Sequence, residues 1–465
     1  MENYDLVILG AGSAGFAAAI KSSELGKKTA IIERGTIGGT CVNVGCVPSK
    51  RLLHVGDEYY YSRSSRFKGI ETKEISLNFA EVIQDTDDLV KKMRQTKYVD
   101  VLNSLSNTVF LRGTGVFVSK NEAKVGSQVL KAEKFLIATG SSPNILKFDG
   151  ADKVDFLTSV EALSLKKLPE SMIIIGGRAL ALEFAQMYAH FGSKVTVLQR
   201  SSRILPEDEP EVSDELTKCM RAEGIEIHTG VQIREVAERN GLKVVKGTVD
   251  GNDKEFEAEQ ILMAAGRNPN TAGIGLDAAG VGMEKGFVKI SGYLQTTNPN
   301  VYAAGDCATP VMLETLAAKM GNIAVRNAFE NANLTINYEE VPSVVFTNPQ
   351  VGKVGYTEEE YSAKTHACAC RTIPMSLVAK AQVINDIRGV IKMVIDPKTL
   401  KIVGVHVVSP LAAEIIHEAT VAVQFGLTID DIIDTVHVFP TISEAIKLVA
   451  QSFRKDVSKL SCCVE

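Results

Sequence analysis

The chain has 465 residues, of which 45% are hydrophobic and 23% are charged. This is an ordinary composition for a soluble globular protein. Lys and Arg number 51 and Asp and Glu number 56, which gives a net charge of −5 and argues against a nucleic-acid-binding protein with a basic surface. No run of about 18 apolar residues is present, so the sequence predicts no membrane insertion. At roughly 100–200 residues per domain, about three domains are expected.

The first residues predict a strand that leads into a glycine turn rather than a signal peptide, so we expect a cytoplasmic protein. Eight cysteines are too few for a disulfide framework in a chain of this length, and paired cysteines in the cytoplasm are more often catalytic or metal-binding. Six of the eight form the pairs Cys41/Cys46, Cys368/Cys370 and Cys462/Cys463. The pair Cys368/Cys370, which has His366 nearby, could bind a metal, but a loop of incidental small residues is the favoured interpretation.

One supersecondary unit occurs twice along the chain. Both copies have the order strand, glycine turn, helix, strand, with strands predicted over 4–9 and 29–32 in the first copy and over 172–175 and 194–198 in the second. Such units build parallel sheets. We therefore expect an α/β fold with two Rossmann-like nucleotide-binding domains, closed by the predicted strands 134–139 and 260–265.

The pattern changes from about residue 341. Short alternating strands over 390–395 and 402–408 are followed by helical stretches over 412–425 and 442–453. This pattern predicts a C-terminal α+β domain.

The turn of the first unit reads Gly10-Ala-Gly12-Ser-Ala-Gly15, which matches the GxGxxG pattern. Gly10 permits the tight turn, Gly12 allows the backbone to approach a pyrophosphate, and Gly15 allows the helix to pack on the strand. Glu33 ends the next strand, 18 residues after Gly15, where an acid accepts hydrogen bonds from a ribose. The alternative is a tight turn that binds nothing.

A cysteine pair follows this turn, in the segment Gly38-Gly-Thr-Cys41-Val-Asn-Val-Gly-Cys46-Val-Pro-Ser-Lys50. Thiols at the start of a helix lie near the positive end of its dipole, which lowers their pKa and favours the thiolate. The alternatives are a zinc half-site and two inert buried thiols. No second CxxC or His pair completes a zinc site.

This cysteine segment resembles the redox-active disulfide of the FAD-dependent pyridine nucleotide–disulfide oxidoreductases. Residues 138–140 resemble the family's Ala-Thr-Gly turn, residues 302–306 its second FAD motif, and residues 342–347 the opening of its dimerisation domain. The resemblance covers nearly the whole chain. It implies a FAD-binding domain over 1–150, an NADPH-binding domain over 151–270, a return to the FAD or central domain over 271–340, and a dimerisation domain over 341–465.

The resemblance also implies roles for individual residues. Cys46 would lie against the flavin as the charge-transfer thiol, and Cys41 would be the outer, exchanging thiol. Lys50 and Glu183 would form an ion pair near flavin N5, with a surface salt bridge as the alternative. The remaining expected FAD contacts, besides the GxGxxG glycines and Glu33, are Gly39, Thr40, Thr139, Gly140 and Asp306. Gly266, in the turn that closes the second nucleotide-binding unit, is also expected to bind a cofactor.

The second glycine turn reads Gly176-Gly177-Arg178, with Arg178 at the position where the family usually has a glycine. The strand that follows ends in Gln199-Arg200-Ser-Ser-Arg203 rather than in an acid. Two arginines and two hydroxyls suit a 2′-phosphate, so we expect NADPH rather than NADH. The alternative is a solvated basic loop.

Disulfide reductases of this family carry a His-Pro-Thr-x-x-Glu motif. The His shuttles a proton, and the Glu orients the His side chain. This chain has Phe439 in place of the His and retains the glutamate as Glu444. His437 lies two residues earlier, ~7 Å away along a strand, and is a poor substitute. The sequence thus predicts chemistry that needs no proton shuttle.

The C-terminus carries two adjacent thiols, Cys462 and Cys463. Neighbouring thiolates suit a soft metal ion, and this tail resembles that of the mercuric reductases within the family. The resemblance implies a homodimer in which the tail of one subunit passes Hg(II) to Cys41 and Cys46 of the partner subunit, with a transporter or lyase as a possible source of the ion. The alternatives are incidental tail cysteines, a dihydrolipoamide or glutathione-type reductase, and a non-catalytic metal-sequestering flavoprotein.

Overall fold

A computed structural model describes residues 2–63, 65–72 and 75–459. The chain divides into two compact units. Unit 1 comprises Met1–Ser49, Ile83–Asn144 and Gly266–Ile336, and unit 2 comprises Lys50–Val82, Ile145–Ala265 and Asn337–Glu465. The predicted metal-binding residues Cys462 and Cys463 lie outside the described residues.

The strands are, in chain order, β1 (Glu2–Leu9), β2 (Thr29–Glu33), β3 (Thr108–Arg112), β4 (Gly115–Ser119), β5 (Glu122–Val125), β6 (Gln128–Ile137), β7 (Ser141–Pro143), β8 (Ser171–Ile175), β9 (Lys194–Leu198), β10 (Glu226–His228), β11 (Gln232–Arg239), β12 (Leu242–Val249), β13 (Asn252–Ala258), β14 (Gln260–Met263), β15 (Arg267–Pro269), β16 (Met283–Glu284), β17 (Phe287–Val288), β18 (Val301–Ala303), β19 (Ser343–Val345), β20 (Gln350–Gly355), β21 (Ala369–Pro374), β22 (Val390–Ile395) and β23 (Ile402–Ser409).

The α-helices are α1 (Ser13–Glu24), α2 (Gly39–Val44), α3 (Cys46–Ser62), α4 (Phe79–Arg94), α5 (Asp100–Ser104), α6 (Ser159–Ala162), α7 (Ala179–Phe191), α8 (Pro210–Ala222), α9 (Leu276–Ala279), α10 (Glu314–Phe329), α11 (Glu358–Thr365), α12 (Ala379–Val383), α13 (Ala412–Phe425), α14 (Ile429–Asp434) and α15 (Glu444–Gln451). None of the helices in the described part of the chain is both long and apolar enough to cross a membrane.

Unit 1 is built on a seven-stranded sheet in the order β3-β2-β1-β6-β5-β4, with β18 beside β6. Four strand pairs are parallel: β2–β3, β1–β2, β1–β6 and β6–β18. The pairs β5–β6 and β4–β5 are antiparallel. The residues of β1 and β2 form apolar runs because helices cover parallel strands on both faces. The turn from β1 into α1 lies at the carboxyl end of these strands, which is where open α/β sheets bind ligands.

Unit 2 contains a four-stranded parallel sheet in the order β10-β9-β8-β14 and a three-stranded antiparallel sheet, β11-β12-β13. Apolar side chains from these two sheets share one core. A five-stranded antiparallel sheet in the order β19-β20-β23-β22-β21 follows, and the buried side chains of α13, α14 and α15 share a core with it. Helix α7 connects β8 to β9 and carries Glu183.

The predicted α/β class with two parallel-sheet units and a C-terminal α+β region is confirmed. Strands β9 and β22 and helix α13 have the predicted bounds. The helix predicted over 442–453 is shorter, since α15 begins at Glu444 and ends at Gln451. The division of the chain at residues 150, 270 and 340 stays a prediction.

Candidate active site

The turn between β1 and α1 brings backbone close to backbone. A Cβ on Gly10, whose φ is +114°, would lie 2.1 Å from the Ala138 carbonyl oxygen, and a Cβ on Gly15 would lie 2.0 Å from the Gly10 carbonyl oxygen. Gly12 differs, because the nearest atom to its Cβ would be Gly39 Cα at 3.8 Å. Gly10 and Gly15 therefore serve the turn itself, whereas Gly12 leaves an open approach to the first N–H groups of α1, which favour an anion.

Glu33 lies beside this turn at the end of β2. One carboxylate oxygen accepts a hydrogen bond from the Ala11 N–H at 2.9 Å, and the other accepts one from the Gly35 N–H at 2.6 Å. These bonds hold the carboxylate at a cavity of about 250 Å³ that Glu33 lines together with Thr139. Each oxygen has a second lone pair for a further donor. The position of Glu33 therefore suits the ribose contact that the sequence predicts.

Thr139 and Gly140 follow β6 and are joined to the segment that begins at Gly266. The Thr139 hydroxyl donates to the Asn270 carbonyl oxygen at 2.7 Å, and the Asn270 amide donates back to the Thr139 carbonyl oxygen at 2.9 Å. The Asn144 N–H donates to the Gly266 carbonyl oxygen at 3.0 Å. The segments 139–144 and 266–270, which are distant along the chain, thus meet beside the cavity.

Asp306 follows β18 and is oriented by two residues that the sequence reasoning missed. The Ser141 hydroxyl donates to Asp306 Oδ2 at 2.6 Å and accepts from Arg267 Nε at 2.7 Å. Arg267 also donates to the Ser141 carbonyl oxygen at 2.7 Å. Burial lowers the pKa of Arg267, against the opposing charges of Asp306 and Cys46. No motif in the sequence marks Ser141 or Arg267, since their partners are distant along the chain.

The two cysteines lie on consecutive helices. Cys41 lies in α2, which begins with Gly39 and Thr40, and Cys46 is the first residue of α3. Both are thiols in this structure. The hydrogen bond with Cys46, burial, and the charges of Cys46 and Glu314 raise the pKa of the Cys41 thiol. The predicted lowering of the thiol pKa is therefore wrong for Cys41, because a neighbouring thiol, burial and a carboxylate outweigh a six-residue helix.

Tyr98 packs beside this segment and was also missed. Its ring lies 3.1 Å from the position of a Cβ on Gly38, and its side chain is hydrogen-bonded to that of Ser13. Burial and the charge of Cys41 raise the pKa of Tyr98, so its hydroxyl stays neutral. Tyr98 therefore connects the cysteine segment to Ser13, within the first glycine turn.

In unit 2, Lys50 and Glu183 form the predicted ion pair. Lys50 Nζ lies 2.6 Å from Glu183 Oε2, and the other oxygen of Glu183 accepts a hydrogen bond from the Phe346 N–H at 2.9 Å. Lys50 Nζ also lies 4.7 Å from the centre of the Phe346 ring. The Glu183 side chain is only 6% exposed, so the surface-salt-bridge alternative is wrong. The role of this pair beside a flavin stays a prediction.

A buried histidine joins the same two helices a second time. His190 of α7 lies 2.9 Å from Asp57 of α3 through Nδ1 and 3.0 Å from Glu223 through Nε2. Because ionised carboxylates only accept hydrogen bonds, both ring nitrogens carry protons and the ring is cationic. Burial lowers the pKa of His190, but the hydrogen bonds and charges of Asp57 and Glu223 outweigh it, so the pKa is raised. No local pattern in the sequence predicts this cluster.

The second glycine turn, between β8 and α7, repeats the construction of the first. A Cβ on Gly176, whose φ is +130°, would lie 2.3 Å from the Ala264 carbonyl oxygen. A Cβ on Gly177 would lie 2.8 Å from the Cβ of Gln199, which is buried at the end of β9. Both glycines are therefore required by close packing.

The arginines around this turn have different surroundings. Arg178 is the N-cap residue of α7 and pairs with Glu207. Arg203 donates to the carbonyl oxygens of Pro206 and Asp208, each at 3.1 Å. Arg200 is exposed. Of the two arginines predicted to bind a 2′-phosphate, Arg200 is therefore the stronger candidate, because Arg203 stabilises its own loop.

Near the C-terminus, Glu444 begins α15. Its Oε2 atom is buried and has no hydrogen-bond partner among the described residues, and burial raises the pKa of its carboxyl group. His437 lies 2.8 Å from Glu418 instead, and Phe439 is 47% exposed. Among the described residues, the Glu444 carboxylate, which by resemblance to the family would orient a histidine, therefore makes no hydrogen bond to an imidazole.

No group of three or more His, Cys, Asp and Glu side chains within residues 2–63, 65–72 and 75–459 is close enough to hold a metal ion. Of the four predicted metal ligands, the structure therefore describes only Cys41 and Cys46, which offer two sulfur atoms.

Two family models match this chain. The pyridine nucleotide-disulphide oxidoreductase model matches residues 4–321, and the model of that family's dimerisation domain matches residues 341–450. The chain belongs to the pyridine nucleotide-disulphide oxidoreductase family. Membership makes it an oxidoreductase, implies FAD and NAD(P)H as its cofactors, and supports a homodimer.

Several individual proteins are similar over nearly the full chain. A mercuric reductase of Lysinibacillus sphaericus is 41% identical over 463 residues, which are 99% of this chain and 85% of the relative. A dihydrolipoyl dehydrogenase of Thermus scotoductus is 35% identical and covers 98% of both chains. Among solved structures, the Cu(II) complex of the HOCl-induced flavoprotein disulfide reductase RclA from Escherichia coli has a TM-score of 0.87 at 26% identity, over 98% of this chain and 100% of that one.

These similarities confirm the resemblance to mercuric reductases. They also reach proteins that are named for disulfide or dihydrolipoyl chemistry, so the substrate must be argued from the site. The residues of unit 1 fit the flavin nucleotide of this family, because Gly12 leaves room for a phosphate and Glu33 is held at a cavity.

We expect Gly12→Ala to lower flavin binding without unfolding the protein. The added methyl group would meet no protein atom closer than 3.8 Å, but it would occupy the approach to the N-terminus of α1. The flavin-to-protein ratio after purification should fall about tenfold. In the matched control Gly15→Ala, the methyl group would meet the Gly10 carbonyl oxygen at 2.0 Å, so both folding and flavin binding should be lost. Full flavin content in Gly12→Ala would contradict the assignment of the turn.

His190→Ala should destabilise the protein by about 3 kcal/mol, because the partly exposed Asp57 and the nearly buried Glu223 lose the cation that they share. The folded-state pKa of His190 lies above its ordinary value of 6.5. Its contribution is therefore complete below pH 6.5 and is lost as pH rises through the raised pKa. Urea unfolding of both proteins at several pH values measures this difference.

His406 provides the control for this pH dependence. It is buried, its ring lies 3.0 Å from the Tyr356 carbonyl oxygen, and burial lowers its pKa. The contribution of His406 is therefore present above pH 6.5 and is lost as pH falls through the lowered pKa. The same pH trend for His190→Ala and His406→Ala would contradict a cationic His190.

Proposed function

We propose that this oxidoreductase reduces Hg(II) to Hg(0) with electrons from NADPH, through FAD and the Cys41/Cys46 pair. The observation that carries the proposal is that Phe439 replaces the proton-shuttling histidine and leaves Glu444 Oε2 without a hydrogen-bond partner among the described residues. Reduction of an organic disulfide releases a thiolate that must be protonated, and a phenyl ring donates no proton. The 41% identity to a mercuric reductase supports the same substrate.

The chemistry at the thiols conserves bonds and charge. Hg(II) arrives bound to two thiolates and exchanges these ligands for Cys41 and Cys46. Two S–H bonds break, two S–Hg bonds form, and the departing thiolates take the two protons. The raised pKa of the Cys41 thiol keeps it protonated until the ion displaces the proton.

When bound, FAD supplies two electrons that originate from NADPH. The ion accepts them, both S–Hg bonds break, and neutral mercury leaves because it binds thiolate weakly. The two thiolates left on Cys41 and Cys46 then take up protons from solvent. The Lys50 ammonium has a defined position, because Glu183 accepts from it at 2.6 Å while the Phe346 N–H holds the other carboxylate oxygen. A fixed cation of this kind stabilises negative charge that develops nearby during electron transfer.

The delivery of Hg(II) is proposed to involve both subunits of a homodimer. Cys462 and Cys463 would capture the ion and pass it to Cys41 and Cys46 of the partner subunit. The match of residues 341–450 to a dimerisation domain supports the dimer. In unit 2, Val436, Val438 and Phe425 are 84%, 76% and 71% exposed, and exposed apolar side chains of this kind are typical of protein interfaces.

The test is anaerobic NADPH oxidation with a Hg(II)–thiol complex as the acceptor. We expect mercury-dependent turnover, and we expect Cys462→Ala/Cys463→Ala to lower it about tenfold or more at low free thiol, because an attached dithiol raises the local concentration of the ion. Cys219→Ser is the control, since Cys219 is buried. The absence of mercury-dependent turnover would reject the proposal, and equal turnover in the tail variant would reject the delivery step.

A disulfide reductase is the second candidate, and the 35% identity to a dihydrolipoyl dehydrogenase favours it. It predicts rapid turnover of lipoamide or oxidised glutathione. A metal-sequestering flavoprotein is the third candidate, and it predicts stoichiometric binding of Hg(II) without NADPH consumption.

Phe439→His should introduce disulfide reduction. The new imidazole restores a proton donor in the motif that ends in Glu444, and a positioned acid or base contributes roughly 10²–10⁴-fold. We therefore expect at least about a 100-fold gain in lipoamide reduction, with mercury-dependent turnover within about threefold of the parent. Phe439→Asn is the control, because it adds hydrogen bonds but no titratable group. An equal gain in both variants, or a gain in neither, would argue against the missing-shuttle explanation.

Arg200→Glu should reverse the preference for the nicotinamide nucleotide. Loss of one charge-assisted hydrogen bond, worth about 1.5–3 kcal/mol, raises KM for NADPH by roughly 10–100-fold, while KM for NADH changes little. Arg203→Ala is the control, because Arg203 binds loop carbonyl oxygens and its loss should affect both nucleotides alike. If Arg200→Glu also affects both alike, the loop is merely a solvated basic segment.

A further inference from the structure

A second cysteine pair lies on the edge of the five-stranded sheet. Cys370 is in β21, which is the edge strand, and Cys368 immediately precedes that strand. Residues two apart along a strand point to the same side. Both side chains are half-buried thiols, and the charge of Cys368 is one of the causes that raise the pKa of Cys370.

Helix α11 places two oxygen groups against these sulfur atoms. Glu358 and Ser362 are four residues apart on α11 and therefore share one face of the helix. The Ser362 hydroxyl lies 2.9 Å from Cys368 Sγ, and the Glu358 carboxylate is hydrogen-bonded to Cys370. The pair is thus built into a contact between a strand and a helix, which differs from the incidental loop that the sequence favours.

The charges around the pair favour a cation. Lys392 lies 2.8 Å from Glu358, 2.9 Å from Glu209 and 2.9 Å from Glu211. One ammonium group faces three carboxylates, so the cluster carries excess negative charge. Burial, and then the hydrogen bond and charge of Glu358, raise the pKa of Cys370 to about 11. The thiol therefore keeps its proton at neutral pH unless a cation displaces it.

We propose that Cys368 and Cys370 form a second chelating site for a thiophilic metal ion, separate from the Cys41/Cys46 pair. No group of three or more His, Cys, Asp and Glu side chains among the described residues is close enough to hold a metal ion, so the site suits an ion that is satisfied by two sulfur ligands, such as Hg(II), rather than tetrahedral zinc. On binding, two S–H bonds break, two S–metal bonds form and two protons leave. Nothing is oxidised or reduced.

The test uses the full-length, flavin-loaded chain in which Cys41, Cys46, Cys462 and Cys463 are replaced by Ser. Hg(II) is added with an excess of a monothiol, and bound mercury is measured after desalting. The two thiolates of the monothiol complex leave and take up the two protons of the cysteine pair, so the exchange releases no net protons. Because a chelating pair outcompetes a monothiol, we expect about one ion per chain. NADPH turnover is not measured, so the result is independent of the proposed function.

Variants of the pair decide the result. Adding Cys368→Ser/Cys370→Ser should abolish retention of mercury, and so should Cys370→Ser alone, because chelation needs both sulfur atoms. The matched control adds Cys219→Ser/Cys307→Ser, two buried cysteines, and should still retain the ion. The flavin-to-protein ratio confirms that each variant is folded. No retention in the starting variant, or retention that survives the loss of Cys370, would overturn the proposal.

Discussion

How the proton of the half-buried Cys41 thiol leaves is the constraint on which the chemistry of this chain depends. The pKa of Cys41 is raised by its hydrogen bond with Cys46, by burial and by the charge of Glu314. A thiol in this state reacts only when something takes its proton. In disulfide reduction an imidazole takes up and returns this proton, and this chain has Phe439 at the position of that imidazole. A soft metal ion instead displaces the proton as it binds, so a metal substrate needs no shuttle.

Ion pairs and close backbone contacts fix the positions of the other site residues. The part of α3 from Lys50 onward is attached to α7 through Lys50–Glu183 and again, nearer the end of α3, through Asp57–His190. Both contacts involve side chains of α7 that are almost fully buried. In unit 1 the glycine turn is defined by backbone contacts that leave no space for a side chain at Gly10 or Gly15. Fixed groups of this kind need little reorganisation during a reaction, which is how electrostatic catalysis is achieved.

The sequence predicted what depends on local pattern and missed what depends on distant partners. The period of apolar residues located β9, β22 and α13, and glycine spacing located both turns. Arg267, Ser141 and Asp306 meet across more than a hundred residues of chain, and no local pattern encodes that contact. The thiol pKa was predicted with the wrong sign, because the helix dipole can be read from a sequence but burial and the approach of Glu314 cannot.

The second cysteine pair also contains a thiol with a raised pKa. Burial, and then the hydrogen bond and charge of Glu358, raise the pKa of Cys370, whereas the hydrogen bond with Cys46 is the largest cause at Cys41. In both places a thiol is kept protonated beside a second sulfur and negative charge. A thiol in this state loses its proton to a base or to solvent when a metal ion binds the sulfur.

The most direct test of the central claim is a competition experiment. The flavin-loaded enzyme is given NADPH together with equal amounts of a Hg(II)–thiol complex and lipoamide in the absence of oxygen, and the mercury vapour and dihydrolipoamide formed are measured against NADPH consumed. The account predicts about one mercury atom released for each NADPH, as two-electron balance requires, with negligible dihydrolipoamide. Consumption of NADPH that yields dihydrolipoamide and no mercury vapour would contradict it.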